Sequence, residues 1–287
     1  MTAVTEQEHD HIKPKATLFV EEKLRRVARG ATRQIVTRRG AELGMWNGAG
    51  YPKSGTVWLC KQLGSALGLP APIDYQLPIM MQSVIHSHWM YDERFGPSVY
   101  IRRDGRDVVV SMYFHWMRGL VLKRDPKYSA ALAEIFRKLY GPSFDPDDAV
   151  GNMPKFIEYQ MTVAPTTRGV TWQDHIRAWW DQPNVGHVSY ENLLIDGVNE
   201  LSQAIEKAQG KPVDRRLVEL AVERHAFKTE TGRAAGEEHR GSFLRKGIAG
   251  DWVEHFSREA GEVFDQFAGQ DLVDFGYESD RTWWHQL

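Results

Sequence analysis

A single cysteine, Cys60, stands in 287 residues, which excludes any internal disulfide and suits a reducing compartment. No run of about 18 apolar residues occurs, so no membrane-spanning helix is expected. Strong charge of either sign is also missing. The 36 Lys and Arg nearly balance the 38 Asp and Glu, for a formal net charge of −2 and a pI near 6.6. That argues against a general nucleic-acid binder and still allows a local basic pocket. Residues Met1 to Lys15 are polar and charged, without the apolar core of a signal peptide. The expectation is a soluble, cytoplasmic protein. Neither an internal repeat nor a low-complexity linker is present. Apolar and aromatic residues are plentiful: 42% of the chain is hydrophobic and it carries ten tryptophans. This is enough to fill the core of one large α/β domain and leave aromatic side chains for a cleft.

Within this chain one stretch is built to hold an anion: Trp46-Asn47-Gly48-Ala49-Gly50-Tyr51-Pro52-Lys53-Ser54-Gly55-Thr56-Val57-Trp58. Its glycines let the backbone turn tightly and present amide N–H groups, Lys53 adds a point charge, and Ser54 and Thr56 add hydroxyls. Val57, Cys60, Leu63 and Leu67 then recur at helical spacing until Gly68 and Pro70. The loop therefore feeds a helix N-terminus, where the dipole also favours negative charge. A nucleotide-binding P-loop would place lysine directly after the second glycine and a magnesium-binding hydroxyl next; here those positions hold Thr56 and Val57, and the lysine comes before Gly55.

The rest of the chain alternates strands with helices. Residues 1–15 read as a tail. From 17 to 36, Val20, Leu24, Val27, Ala31 and Ile35 fall at steps of three and four, with Arg25, Arg26, Arg29 and Arg33 on the other side. This basic amphipathic helix either packs on the domain or meets a lipid surface or anionic acceptor. Residues 1–40 are thus expected to be tail and helix, and 41–287 a single domain. A strand is expected at 41–47, before the anion loop, although the stretch is a poor apolar run. Further strands are expected at 98–103 and 185–190, and the first of these is followed by Asp104 as N-cap of a helix through His115. Residues 121–155, with four prolines, read as an irregular helical excursion or lid. Trp172, His175, Ile176, Trp179 and Trp180 mark a helix, and others are expected near 197–209 and 213–225. Such alternation implies a three-layer α/β fold, a mostly parallel central sheet with helices on both faces.

Four separated segments together resemble one family. They are Tyr51 to Trp58; Ile101-Arg102-Arg103-Asp104-Gly105-Arg106-Asp107-Val108-Val109-Val110-Ser111; Trp172 to Glu191, ending Ser189-Tyr190-Glu191; and Leu244-Arg245-Lys246-Gly247-Ile248-Ala249-Gly250-Asp251-Trp252. In order and spacing, over roughly residues 41–277, they resemble sulfotransferases that use 3′-phosphoadenosine 5′-phosphosulfate (PAPS) and release 3′-phosphoadenosine 5′-phosphate (PAP). The resemblance implies a P-loop-like sulfotransferase fold in which Lys53, Ser54, Gly55 and Thr56 hold the 5′-phosphosulfate. It also implies that Arg103, Ser111, Arg245, Lys246 and the Gly247 amide hold the 3′-phosphate. Arginine suits that role because its planar fork donates two parallel hydrogen bonds. Trp58 and Phe227 fall where the family stacks adenine, and Tyr190 where a tyrosine contacts the nucleotide; each could also be plain core. The family's threonine two places before the second aromatic is His225 here. Of its dimer segment, mapped onto Val253, Ser257-Arg258 and Glu262, only the glutamate survives, so that mode of association is not expected.

Sulfuryl transfer needs a base for the acceptor proton and a cation for the charge that develops on the leaving phosphate. Lys53 suits the second. The family's base is the histidine of a Lys-x-His segment, and Ile85-His86-Ser87-His88 occupies that place. His88 is the expected base, with His86 where lysine would stand; the two project to one side and could exchange roles, or be a structural pair. No third ligand is spaced near them for a metal, and none is required. His115 and His175 read as packing or supporting groups. The expected acceptor is a small apolar or aromatic molecule with a hydroxyl, or less readily an amine, in a pocket that Met80, Met81, Trp89, Tyr113, Phe114 and Trp116 would line; no nucleic acid is expected. The rivals are a P-loop kinase or ATPase and a catalytically weak nucleotide-binding scaffold.

Overall fold

A computed structural model describes residues 15–123 and 125–287. The expected N-terminal tail lies outside them, apart from Lys15. Four short strands, β1 (Trp46–Gly50), β2 (Val84–Ser87), β3 (Ser98–Arg102) and β4 (Val185–Ser189), form one sheet in the order β2-β1-β3-β4. All pairs are parallel, with Gly48 opposite His86, Gly50 opposite Ile101, and Arg102 opposite Ser189. The helices are α1 (Lys15–Arg39), α2 (Thr56–Leu67), α3 (Gly105–Leu122), α4 (Pro126–Tyr140), α5 (Ala149–Thr162), α6 (Trp172–Trp179), α7 (Tyr190–Gln209), α8 (Arg215–Arg224), α9 (Phe227–Thr231) and α10 (Arg258–Asp274).

Parallel strands expose neither face to water, so each needs a cover. Val84, Val99, Ile101 and Val188 point into a core shared with α2, α7 and α8. Ile85, Tyr100 and Val185 point the other way, into a larger core with Val109, Met153, Trp172, Trp179 and Phe264. This is the expected three-layer α/β architecture with a mostly parallel central sheet, a P-loop-like fold.

The strand before the anion loop is not 41–47 but Trp46–Gly50, and the reason is packing. Its five residues are all buried, yet two are glycines, because α2 presses directly on it. A Cβ on Gly48 would lie 2.4 Å from Cys60 Sγ, and one on Gly50 would meet Ile101 and Thr56 at under 3 Å. Smallness here substitutes for the apolar run that marks most buried strands. Residues 121–155 are helical, as expected, but less irregular. They are two regular helices, with Pro126 in the first turn of α4, where a missing N–H costs nothing, and Pro154 inside α5. Helix α7 starts at Tyr190, earlier than residue 197, with a kink at Asp196 (φ −141°, ψ 67°).

Helix α1 packs through Ala28, Thr32 and Val36. The apolar residues read as its inner stripe diverge along its length: Ala31 and Ile35 are half-buried, while Val20, Leu24 and Val27 stay 53%, 44% and 69% exposed. Arg25 and Arg29 instead face Asp74, at 3.3 and 3.8 Å.

Candidate active site

The carboxyl ends of all four strands meet at one edge of the sheet. The chain leaves β1 for β2 on one side and then for β3 on the other, so a crevice opens beside β1, the usual ligand position in such sheets. β1 delivers the turn 51–54, closed by Ser54 N–H donating to Tyr51 O at 3.1 Å. Lys53 (φ 74°) and Gly55 (φ 94°) both adopt left-handed backbone, and a Cβ on Gly55 would stand 2.8 Å from the Tyr190 ring. The turn therefore enters α2 with the first helical amides open to a ligand. Around it, Ser54 Oγ, Thr56 Oγ1 and Arg103 Nε are buried without a hydrogen-bond partner. Buried polar groups are ordinarily paired, so three orphans about one turn fit a bound anion.

β3 delivers Arg103. Its guanidinium lies 4.2 Å from the Tyr190 ring centroid and donates to Asp107 at 3.2 Å and to Ile248 O at 3.1 Å. Asp107 also accepts from the Gly250 and Trp252 N–H groups at 2.9 and 3.0 Å. One carboxylate on α3 thus ties Arg103 to the 244–252 loop. In that loop Lys246 donates to Asp251 (2.5 Å) and Glu254 (2.6 Å), and Arg245 to Glu238 (2.6 Å) and Asp251. Burial works against the Asp251 carboxylate, but donors from His255, Lys246 and Arg245 outweigh it and hold its pKa below the usual range. Among the described residues, Asp251, Glu254 and His255 are the one group of side chains close enough to share a metal ion, and these cations already occupy its carboxylates.

Lys53 Nζ lies 4.3 Å from the Phe243 ring centroid. Burial first, then Arg118, Arg103 and Arg245, lower its pKa to about 7. β2 delivers the histidines. His88 Nδ1 lies 2.6 Å from Gly50 O, an acceptor only, so Nδ1 carries the proton and Nε2 keeps its lone pair. The residue is exposed where it borders the cavity, while many protein groups surround the ring. Desolvation by those groups lowers its pKa, opposed by the Gly50 bond and assisted by Arg29 and Lys53. His86 stands edge-on to it, centroids 4.8 Å apart, and burial, His88 and Arg29 push its pKa down to about 3. His175 supports the segment from below: its Nε2 donates to His88 O (3.3 Å) while Tyr100 OH donates to Nδ1 (2.9 Å).

One cavity of about 740 Å³ gathers nearly every residue singled out from the sequence. Lys53, Gly55, Thr56, Trp58, His86, His88, Arg103, Ser111, Tyr190, Phe227, Arg245, Lys246 and Gly247 border it; Ser54 lies behind the wall, 1% exposed. Of the six residues expected around an acceptor only Trp116 borders it. Met80 and Met81 face solvent, Tyr113 and Phe114 belong to the core, and Trp89 packs against that core. Their place is taken by Met112, Tyr128, Leu132, Ile135, Pro165 and Phe243. Tyr128, Leu132 and Ile135 are spaced as one face of a helix, a signal present in the sequence but hidden by the prolines around it. His115, at the cavity wall, has its pKa lowered to about 3 by burial, Lys53 and Arg118.

A family profile described as the sulfotransferase domain matches residues 98–276, more than half of the chain. The chain belongs to the PAPS-dependent sulfotransferase family. Membership sets aside the P-loop kinase or ATPase alternative. Mouse sulfotransferase 2B1 is 25% identical to this enzyme over 259 residues, covering 75% of this chain and 67% of its own length. Human sulfotransferase 1C2 is 23% identical over 214 residues (70% and 62%). An amine sulfotransferase of Oryctolagus cuniculus is 27% identical over 194 residues (62% and 54%). The chain thus spans between about half and two thirds of these relatives. The fold matches that of mouse sulfotransferase SULT7A1, solved with PAP, at a TM-score of 0.54 and 22% identity, covering 85% of this chain and 89% of the other. Retinol dehydratase, solved with androsterone and PAP, gives 0.53 and 15% identity, covering 88% and 94%. No helix among the described residues is long and apolar enough to cross a membrane.

Proposed function

We propose that this sulfotransferase moves the sulfuryl group of PAPS, in line, onto a hydroxyl of a small and largely apolar acceptor, with His88 as base. When bound, the donor supplies an electrophilic sulfur and a phosphate leaving group. Ser54, Gly55 and Thr56 would hold its 5′ side, and Arg103, Ser111, Arg245, Lys246 and Gly247 its 3′-phosphate. Trp58, Phe227 and Tyr190 would enclose the base. His88 Nε2 accepts the acceptor's proton as the new O–S bond forms, and Lys53 meets the charge that appears on the phosphate as the old one breaks. No step calls for a metal.

The observation that carries this reading is the bond between His88 Nδ1 and Gly50 O, 2.6 Å. It fixes the neutral tautomer with a free Nε2 in the same cavity as Lys53. His86 lacks such an anchor; its Nε2 is buried without a partner. The acceptor's apolar character is inferred from Met112, Trp116, Leu132 and Ile135 on the wall.

Turnover of PAPS with 4-nitrophenol in wild type, His88→Ala and His86→Ala tests the assignment. Loss of about 10²-fold or more in the first variant and a smaller loss in the second are expected. Full activity in His88→Ala would move the base elsewhere. A wild type that binds PAP yet turns over no phenol or amine would favour the scaffold reading.

A further inference from the structure

Trp58 and Phe227 can stack a base, but stacking is tolerant of which base it holds. Trp58 is fixed by its Nε1–H donating to His225 O at 2.7 Å, and Phe227 by the Gly247 backbone, where a Cβ would lie 2.3 Å from the ring. At this end of the cavity the wall is completed by Lys61, His225 and Glu230. These form a chain of polar contacts. His225 Nε2 lies 2.8 Å from Ser65 Oγ, its Nδ1–H donates to Glu230 Oε1 at 2.8 Å, and Lys61 Nζ donates to Glu230 Oε2 at 2.5 Å. Both ring nitrogens of His225 are therefore occupied inside the protein. Glu230 is not exhausted: a carboxylate has about four acceptor positions, and two are in use.

We propose that Glu230 reads the exocyclic amine of the donor's adenine and makes the site selective for adenine over guanine nucleotides. The inference rests on the donor reading given above. A carboxylate can only accept. Adenine offers an N–H₂ group at the ring position where guanine carries a carbonyl oxygen, so a guanine there brings two acceptors together and leaves both unpaired. Lys61, from α2, and His225, at the end of α8, each donate to a different oxygen of Glu230 and leave each oxygen a further acceptor position. Burial raises the Glu230 pKa and these two donors overcome it, so the group stays ionised.

Calorimetric titration with PAP and with guanosine 3′,5′-bisphosphate, in wild type and Glu230→Gln, tests this. Wild type should prefer PAP by about tenfold or more, in the range that one mismatched buried hydrogen bond costs. The glutamine amide can accept from adenine or donate to guanine, so the variant's preference should fall to within about threefold, chiefly by gaining the guanine nucleotide. Lys61→Met breaks the chain of contacts but keeps the carboxylate, and should retain the wild-type preference. An unchanged ratio in Glu230→Gln overturns the proposal while leaving the donor reading intact. A preference lost as fully in Lys61→Met assigns selectivity to the whole contact chain, and also overturns it. Binding of neither nucleotide by wild type overturns both readings.

Discussion

Lys53 occupies a backbone conformation more common for glycine, inside a ring of arginines, and both facts bear on its charge. With its pKa at about 7, it is largely neutral in the empty site at pH 8.5, and an anionic ligand raises that pKa by supplying the opposite charge. Binding must therefore take up protons, and affinity for PAP should fall as pH rises above 7, by at most tenfold per unit for one group. Calorimetry at pH 8.5 in buffers of different ionisation enthalpy should register uptake of close to one proton per PAP, shrinking below pH 6.5. Absence of uptake at pH 8.5 would show that Lys53 is already charged there. In the same residue-level terms, the folded state disfavours the ammonium, so Lys53 lowers stability most below pH 7 and its penalty fades as pH rises toward 10.5, the ordinary lysine value. The motif residues were legible because their types are set by chemistry: lysine, arginine and hydroxyls meet phosphate wherever they occur. Glu230, Lys61 and Phe243 carried no such signal, since each is an ordinary surface residue until folding places it at the cavity.

Elements show the reverse pattern. Periodicity located β3, β4, α3 and α6 because each is long or apolar enough to carry its own period. It misplaced β1, whose demand is for smallness under α2, and it left α4 and α5 without bounds inside one irregular helical excursion, with Pro126 in the first turn of α4 and Pro154 inside α5. Helix α1 is an intermediate case. Its spacing is helical, but Arg25 and Arg29 are turned to Asp74 and Thr32 accepts from the Ile79 N–H at 3.1 Å, which leaves Val20, Leu24 and Val27 in solvent. Replacing these three with glutamate should then change stability by no more than about 0.5 kcal/mol each. Thermal unfolding checks this, and a fall of several kcal/mol would mean that the face is covered. Flotation with anionic vesicles, wild type against that variant, isolates what the face contributes to lipid contact.

For the molecule as a whole, the two cores lie back to back across one sheet, and Val36 carries α1 into the larger of them. We propose that 41–287 form one unit with α1 attached. The cavity draws on α1, α2, β2, α3, α4, α7, α9 and the loop 244–252, so a ligand that fills it should brace all of them. At 100 times its dissociation constant, PAP should add about 2.7 kcal/mol of stability. That corresponds to a rise in Tm of roughly 5–10 °C for a chain of this size. A scan in which Tm does not move with saturating PAP would mean that the native chain does not bind the nucleotide.

The sequence by itself determined the donor chemistry, because an anion loop, a strand-end arginine and a serine two helical turns later constrain residue type at fixed spacing. It determined the layered parallel architecture for a similar reason: alternating strands and helices bury both faces of a sheet in few ways. Only the tertiary structure decided what surrounds the reaction. The tautomer of His88 depends on a carbonyl from another strand, the apolar wall comes largely from α3 and from α4, and the carboxylate at the base end is held by residues 169 and five positions away. Such contacts depend on distances between segments remote in the chain, and local residue pattern does not encode those distances.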